Sequence, residues 1–334
     1  MNKETWGLSE VWNKSLEEQE QRPLSFRDHL WASELGKAPV DLWLKLRAVP
    51  PTNPPNPRSL RKFEAGNVFE WIVSLILKRA GILKESQRWS SYQYPGLMKV
   101  TGKADFIAGG KPDIRMFEEE VSRMSLPNVF VRAGEKILNY IDQNFPDGLE
   151  EMPLEIKSVS AFAFEAMEKK NRSNRVHRLQ AYHYLKSENR PRANIVYISR
   201  DDLRILEFPV LLNSETEKEY HDTIEALTKS NALDQMPPVE KKIVFEEDYG
   251  KFARNFNVGY SNYLTMLYGY SNQMEFEEQI NPIVSQWNRV LGRLKAGSNV
   301  TEKNKLVLEK IKEAGFIVDE ILSRFAVTKE EEEA

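Results

Sequence analysis

The sequence predicts an α/β protein, with a mixed central sheet flanked by helices and helical additions at both ends. Three observations predict it. Helical and strand-like segments alternate from about residue 59 to residue 231. A proline run, Pro50-Pro51-Thr52-Asn53-Pro54-Pro55-Asn56-Pro57, precedes that stretch. Beyond about residue 245 the pattern is mostly helical. The expected organisation is an N-terminal helical arm and connector over 1–57, a core over 58–244 with a helical insertion at about 110–150, and a helical region over 245–334 ending in an acidic tail.

Each element has a local reason. Residues 26–48 read as short helices, with Leu30, Trp31, Leu35, Leu42, Trp43 and Leu46 as apolar contacts. The proline run fits neither a helix nor a central strand, so it reads as an extended connector. From Ser59 to Ala80, Phe63, Gly66, Val73 and Leu77 fall on one helical stripe, with Ile72 and Ile76 beside it. Residues 98–108 read as a strand that ends in the turn Gly109-Gly110-Lys111-Pro112. Helices are expected at 117–124 and 131–143, and a short strand at 152–159. A long helix over 161–188 breaks near Asn171–Asn174. Residues 193–199 and 203–210 form a strand pair across Arg200-Asp201-Asp202, and 214–231 is helical.

Composition narrows the chemistry. The 334 residues are 41% hydrophobic and 29% charged, which is ordinary for a globular chain. No apolar run approaches the ~18–20 residues of a membrane span. Met1–Glu10 lacks the basic start and apolar stretch of a secretory signal, so a cytoplasmic protein without membrane contact is expected. There are no cysteines, which excludes disulfides, zinc–thiolate sites and thiolate-held iron–sulfur clusters. With four histidines, a metal site would rest mainly on carboxylates, and hard oxygen ligands favour magnesium or manganese. The net charge of −3 argues against a protein that coats nucleic acid over its whole surface, but not against a local basic groove. Lys169, Lys170, Arg172, Arg175 and Arg178 lie in one acid-free stretch.

The chemistry centres on Glu155-Ile156-Lys157. Strand alternation puts Glu155 and Lys157 on one face, with Ile156 packed behind. Alone, such a pair is more often a surface ion pair. Three companions change that reading. Asp105, in Gly102-Lys103-Ala104-Asp105-Phe106-Ile107, is an acid within an apolar strand, where an unpaired carboxylate is costly. Glu70 lies at the edge of the apolar helical stripe, close to Phe63, Gly66, Val73 and Leu77. His177, Gln180 and Tyr184 share one helix face by their spacing of three and four. With Arg175 and Arg178 that face would line a phosphate track. Asp113, after a turn, competes with Asp105; the apolar strand around Asp105 favours the latter.

An acid-bearing helix, a Gly-x-x-Asp strand, a Glu-x-Lys-Ser strand and a Gln-x-x-x-Tyr helix, in that order, resemble the PD-(D/E)XK nuclease superfamily. The resemblance covers roughly residues 60–210 and is nearest to its RecB-like exonucleases, including CRISPR-associated and mitochondrial genome-maintenance members. It implies a restriction-endonuclease-like core. It implies that Asp105, Glu155 and the main-chain carbonyl of Ile156 are metal ligands, that Lys157 is the catalytic lysine, and that Gln180 and Tyr184 support the site and contact DNA. The chain departs from the family in three ways. Many members have histidine where Glu70 stands. Many CRISPR-associated members carry four cysteines for an iron–sulfur cluster, and none is present here near Gly36–Pro39 or Tyr260–Tyr270; aromatic packing would take the cluster's place as a clamp. The interval from Asp105 to Glu155 is long, which points to the insertion.

The expected activity is magnesium- or manganese-assisted hydrolysis of DNA phosphodiesters by Lys157, Glu155 and Asp105, with Glu70 as a further ligand. Arg172, Arg175, Arg178 and His177 would guide a strand that is single or has free ends. The family resemblance favours an exonuclease of recombination, repair or replication, and one encoded by a phage fits. Alternatives are a structure-specific or restriction-type endonuclease and a non-catalytic DNA-end-binding subunit. The C-terminal helices offer a surface for a protein partner.

Overall fold

A computed structural model describes residues 12–16, 24–124, 128–298 and 301–323. The chain divides into two compact units. The first runs to Val49 and resumes at Pro55–Met236; the second joins Pro50–Pro54 to the chain from Pro237 onward.

The first unit is a mixed α/β layer structure, with a central sheet flanked by helices. Its strands are β1 (His29–Trp31), β2 (Leu83–Tyr92), β3 (Lys99–Gly110), β4 (Leu149–Val159), β5 (Arg192–Ser199) and β6 (Ile205–Leu211). Its helices are α1 (Pro39–Leu46), α2 (Pro57–Arg79), α3 (Ile114–Met124), α4 (Asn128–Asn144), α5 (Ala161–Lys170), α6 (Arg175–Glu188) and α7 (Ser214–Ala232). The sheet order is β1-β3-β4-β5-β6. β1 and β2 both pair with Val100 and Thr101, so they flank β3 on opposite edges. β1–β3 and β4–β5 are parallel; the other pairings are antiparallel.

The proline run ends where Pro57 opens α2, with the Asn56 side chain accepting from the Ser59 amide at 2.9 Å. Proline is tolerated there because its missing N–H would have no helical partner. The break between α5 and α6 has a cause on each side. Asn171 ends α5 in the left-handed conformation (φ 48°), and the Asn174 side chain caps the Val176 amide. The stretch between Asp105 and Glu155 carries α3 and α4.

Two apolar layers cover the sheet. One gathers Val100, Ile195, Tyr197 and Phe208 with Leu179, Tyr182, Tyr184 and Leu185 of α6 and Tyr220, Ile224 and Leu227 of α7. The other gathers Leu77 of α2 with Phe106, Ala108, Ile156, Val196 and Ile198. Ile156 therefore faces α2, while Glu155 and Lys157 face the α6 side with Ile195 and Tyr197.

The structure departs from the sequence-based expectation in four places. Residues 26–48 hold a strand, β1, besides α1. β2 was not foreseen; it is an edge strand whose residues are mostly exposed, so it lacks an apolar alternation. The apolar stripe of α2 serves the core only at its C-terminal end: Leu77 is buried but Phe63 is 56% exposed. The region beyond 245 includes an antiparallel hairpin, β7 (Ile243–Glu246) with β8 (Lys251–Arg254), before the helices α8 (Gln273–Lys295) and α9 (Glu302–Glu313). In this second unit Phe252, Tyr268 and Tyr270 join Phe276, Trp287, Val307 and Ile311 in a separate core. The acidic tail lies outside the described residues.

Candidate active site

The site forms where β3 and β4 part. Their pairing runs from Gly110–Leu149 to Phe106–Leu154 and is not continued at Asp105. There the Asp105 side chain does what a backbone acceptor does elsewhere in the ladder: its Oδ2 accepts the Ile156 amide at 2.7 Å. Asp105 is buried, and its carboxyl is held above its ordinary range by burial, which outweighs the attraction of Lys157.

Glu155 is 1% exposed and pairs with Lys157 through Oε1. Burial pushes Glu155 up to about 8, with Asp105 adding repulsion against the attraction of Lys157. For Lys157, burial alone would lower the pKa; Glu155 and Asp105 outweigh it and push it up, so the ammonium stays charged. Glu155 Oε2 is buried with no hydrogen-bond partner. The Tyr184 hydroxyl lies beside Glu155, but its one proton goes to the Lys103 carbonyl at 2.7 Å. Gln180 Nε2 donates to that same hydroxyl at 2.9 Å. Gln180 and Tyr184 thus fix the wall behind Glu155 and are themselves buried.

Glu70 completes the carboxylate set from α2. It is half-buried and pushed up to about 7, first by burial and then by Asp105, against the attraction of Lys157. Its helix comes close to the end of β4: a Cβ on Gly66 would lie 3.9 Å from Ser158 Oγ. Gln87 Nε2 donates to Glu70 Oε2 at 3.4 Å.

Gly102 explains the glycine of the Gly-x-x-Asp strand. A Cβ there would lie 2.9 Å from Ala32 Cβ and 3.2 Å from Tyr184 Cε1. Its absence lets α6 close on β3 and brings the Tyr184 hydroxyl to the Lys103 carbonyl.

The other expected residues are placed differently. Asp113 is half-buried and serves the start of α3, accepting from the Arg115 amide at 3.0 Å and pairing with that side chain. Asp105, and not Asp113, lies beside Ile156, the residue between Glu155 and Lys157 in the chain. His177 accepts from or donates to the Tyr197 hydroxyl at 2.8 Å. Burial, with Lys157 and Lys37 nearby, lowers it to about 3, so its ring is neutral. Arg175 and Arg178 are drawn to Glu219 of α7, not gathered at the carboxylates. Arg172 is exposed in the loop between α5 and α6. Tyr197 and Gln87 escaped the sequence reading. Tyr197 lies in an apolar run that signals only core, and Gln87 lies in a polar edge strand.

The donor set fits a hard divalent cation. It offers the Glu155 and Asp105 carboxylates beside one ammonium, with Glu70 within electrostatic reach and a buried carboxylate oxygen that lacks a donor. Elsewhere, His221, Asp222 and Glu225 bring ligand atoms within 4.8 Å of one another. Asp222 and Glu225 there are paired with Lys218 and Lys229.

Fold and site together define an α/β protein with a carboxylate–lysine centre at a strand fork. Neither a protein-family model nor a curated protein matches the sequence. Among solved structures, SSO0001 is similar with a TM-score of 0.39 and 16% identity, over 72% of this chain and 91% of that one. The alkaline exonuclease LHK-Exo from Laribacter hongkongensis is similar with a TM-score of 0.38 and 12% identity, over 67% and 93%. The structure of LHK-Exo in complex with dAMP gives 0.39 and 11% over the same shares. No helix among the described residues is long and apolar enough to cross a membrane.

Proposed function

We propose that this chain is a metal-dependent deoxyribonuclease of the PD-(D/E)XK type, in its RecB-like exonuclease branch, acting at DNA ends. The observation that carries the proposal is the buried Glu155–Lys157 pair beside Asp105, with Glu155 Oε2 buried and unpartnered. Asp105, Glu155, the main-chain carbonyl of Ile156 and Glu70 would hold Mg2+ or Mn2+. When bound, such an ion polarises a phosphate and lowers the pKa of a water.

The chain's own groups do the rest. Lys157 keeps its proton, held by three carboxylates, and offers a charged N–H donor to a phosphate oxygen or an incoming water. Asp105 keeps its orientation because its second task is to accept the Ile156 amide. Tyr184 and Gln180 exclude water from behind Glu155 and fix it from that side. DNA that is single-stranded or has free ends is the proposed partner, in recombination, repair or replication.

The test is a Mg2+-dependent assay on end-labelled single- and double-stranded DNA, with wild type beside Lys157→Ala and Glu155→Ala. The two variants are expected to lose cleavage; equal degradation by all three would remove the proposal. Comparing linear with covalently closed circular DNA tests the requirement for ends.

A further inference from the structure

Gln87 stands out in the backbone before its side chain is considered. Six described residues other than glycine have positive φ: Ala48, Gln87, Asn171, Asn189, Leu203 and Asp234. Asn171 and Asn189 end helices, and Ala48, Leu203 and Asp234 lie in turns or loops. Gln87 alone lies inside a strand, at φ 52°. Glutamine gains nothing locally from this conformation, which suits glycine and, to a lesser degree, asparagine. Such strain persists where the surrounding structure enforces it and gathers at functional sites.

The position is specific. The β2–β3 pairing steps from Ser86–Phe106 to Arg88–Ala104, and Gln87 and Asp105 are the residues passed over. On its other edge β3 is also unpaired at Asp105, because the ladder to β4 stops at Phe106. The turned backbone of Gln87 sends its amide to Glu70 Oε2 at 3.4 Å. That is the hydrogen bond the Glu70 side chain makes among the described residues, and it leaves Oε1 without one. Glu70 sits between Phe69 and Val73, which pack against the core, but its own carboxylate is only half-buried and has no cation hydrogen-bonded to it among the described residues.

We propose that Gln87 is a positioning residue: its left-handed backbone aims the side-chain amide at Glu70 and holds that carboxylate in the cation-binding set. This rests on the cation-dependent reading of the site given above. The amide neutralises no charge, so it orders Glu70 without competing with a divalent ion for it. Outer partners of this kind commonly alter metal affinity about tenfold or more when removed.

Three variants separate positioning from a merely structural role. Gln87→Gly fits the left-handed backbone but lacks the amide. Gln87→Asn tolerates the conformation but is one methylene too short. Glu70→Gln removes the group through which Gln87 acts. Mg2+ binding to the full chain is measured by calorimetry without DNA, beside thermal unfolding in EDTA and the Mg2+ dependence of cleavage. Gln87→Gly is expected to melt higher than wild type in EDTA, yet to bind Mg2+ about tenfold more weakly. Gln87→Asn is expected to bind Mg2+ as weakly without the gain in stability. Both are expected to need more Mg2+ for half-maximal cleavage, with kcat at saturating Mg2+ largely kept. In Glu70→Gln, adding Gln87→Gly is expected to change Mg2+ affinity no further.

Wild-type Mg2+ affinity in both Gln87 variants, or an equal further loss on top of Glu70→Gln, overturns the proposal. A wild type that binds Mg2+ and leaves DNA uncut removes the nuclease reading alone. A wild type that cuts DNA, with Gln87 variants unchanged in Mg2+ affinity, removes this inference alone.

Discussion

Replacing Glu155 with glutamine is expected to stabilise the metal-free protein while abolishing cleavage. Three carboxylates share one ammonium at this site, and Glu155 is the most deeply buried of them. Its carboxyl is pushed up to about 8 from an ordinary 4.5. The sign follows from linkage. The folded protein holds this proton more tightly than the unfolded chain does. The stability it gives is complete below 4.5 and is lost as pH rises toward 8. At pH 7 the loss amounts to about 3 kcal/mol, and at pH 5 to under about 1 kcal/mol. Glutamine removes the charge and so the loss. Lys157 loses its main counter-charge but is a quarter exposed to water and keeps the weaker attraction of Asp105 and Glu70. An amide proton without an acceptor costs back about 1 kcal/mol. The net gain is then about 2 kcal/mol at pH 7 and near zero at pH 5. Urea unfolding of wild type and Glu155→Gln in EDTA at both pH values reads this directly. A variant no more stable than wild type at pH 7, or with the same difference at both pH values, refutes the reasoning.

Other outcomes follow from the same geometry. His183 bonds Ser90 and Tyr220, and burial lowers it to about 4 from 6.5. Its stabilising neutral form is fully present above 6.5 and lost as pH falls toward 4, which costs about 2 kcal/mol at pH 5. His183→Gln is expected to flatten the pH 7-to-5 slope of urea stability by that amount; an unchanged slope counts against the assignment. Gly102→Ala is expected to cost about 1–3 kcal/mol through overpacking against Ala32 and Tyr184. Its cleavage rate should fall too, which differential scanning calorimetry and the DNA assay check together. Tyr184→Phe leaves Gln180 Nε2 and the Lys103 carbonyl without their shared partner, at about 1–3 kcal/mol. Unfolding in urea tests it, and a loss below about 0.5 kcal/mol would mean the hydroxyl is not holding this wall.

Much of the candidate site was legible because its residues break local rules. Asp105 is an acid in an apolar strand, and Glu155 and Lys157 share a strand face by simple alternation. The position of α2 followed from apolar periodicity, and the expected break at Asn171–Asn174 coincides with residues that cap helices on each side. What stayed hidden depends on tertiary placement. β2 is a polar edge strand with nothing periodic to read, so Gln87 and its bond to Glu70 were invisible. The arginine run looked like a phosphate track, yet Arg175 and Arg178 find Glu219, more than 40 residues along the chain. Phe63 matched a core stripe, but that stripe outruns the core it serves.

The hydrogen bond from the Ile156 amide to Asp105 has a consequence for measurement. One proton of the sheet rests on a carboxylate that the proposed cation would also engage. Backbone pairing and ion loading would then be coupled at a single peptide group. An ion that draws charge from Asp105 Oδ2 weakens its hold on that amide, and the amide's exchange with solvent speeds up or its NMR resonance moves. In a titration with Ca2+, Ile156 would act as an internal indicator, reporting occupancy of the fork without substrate or turnover.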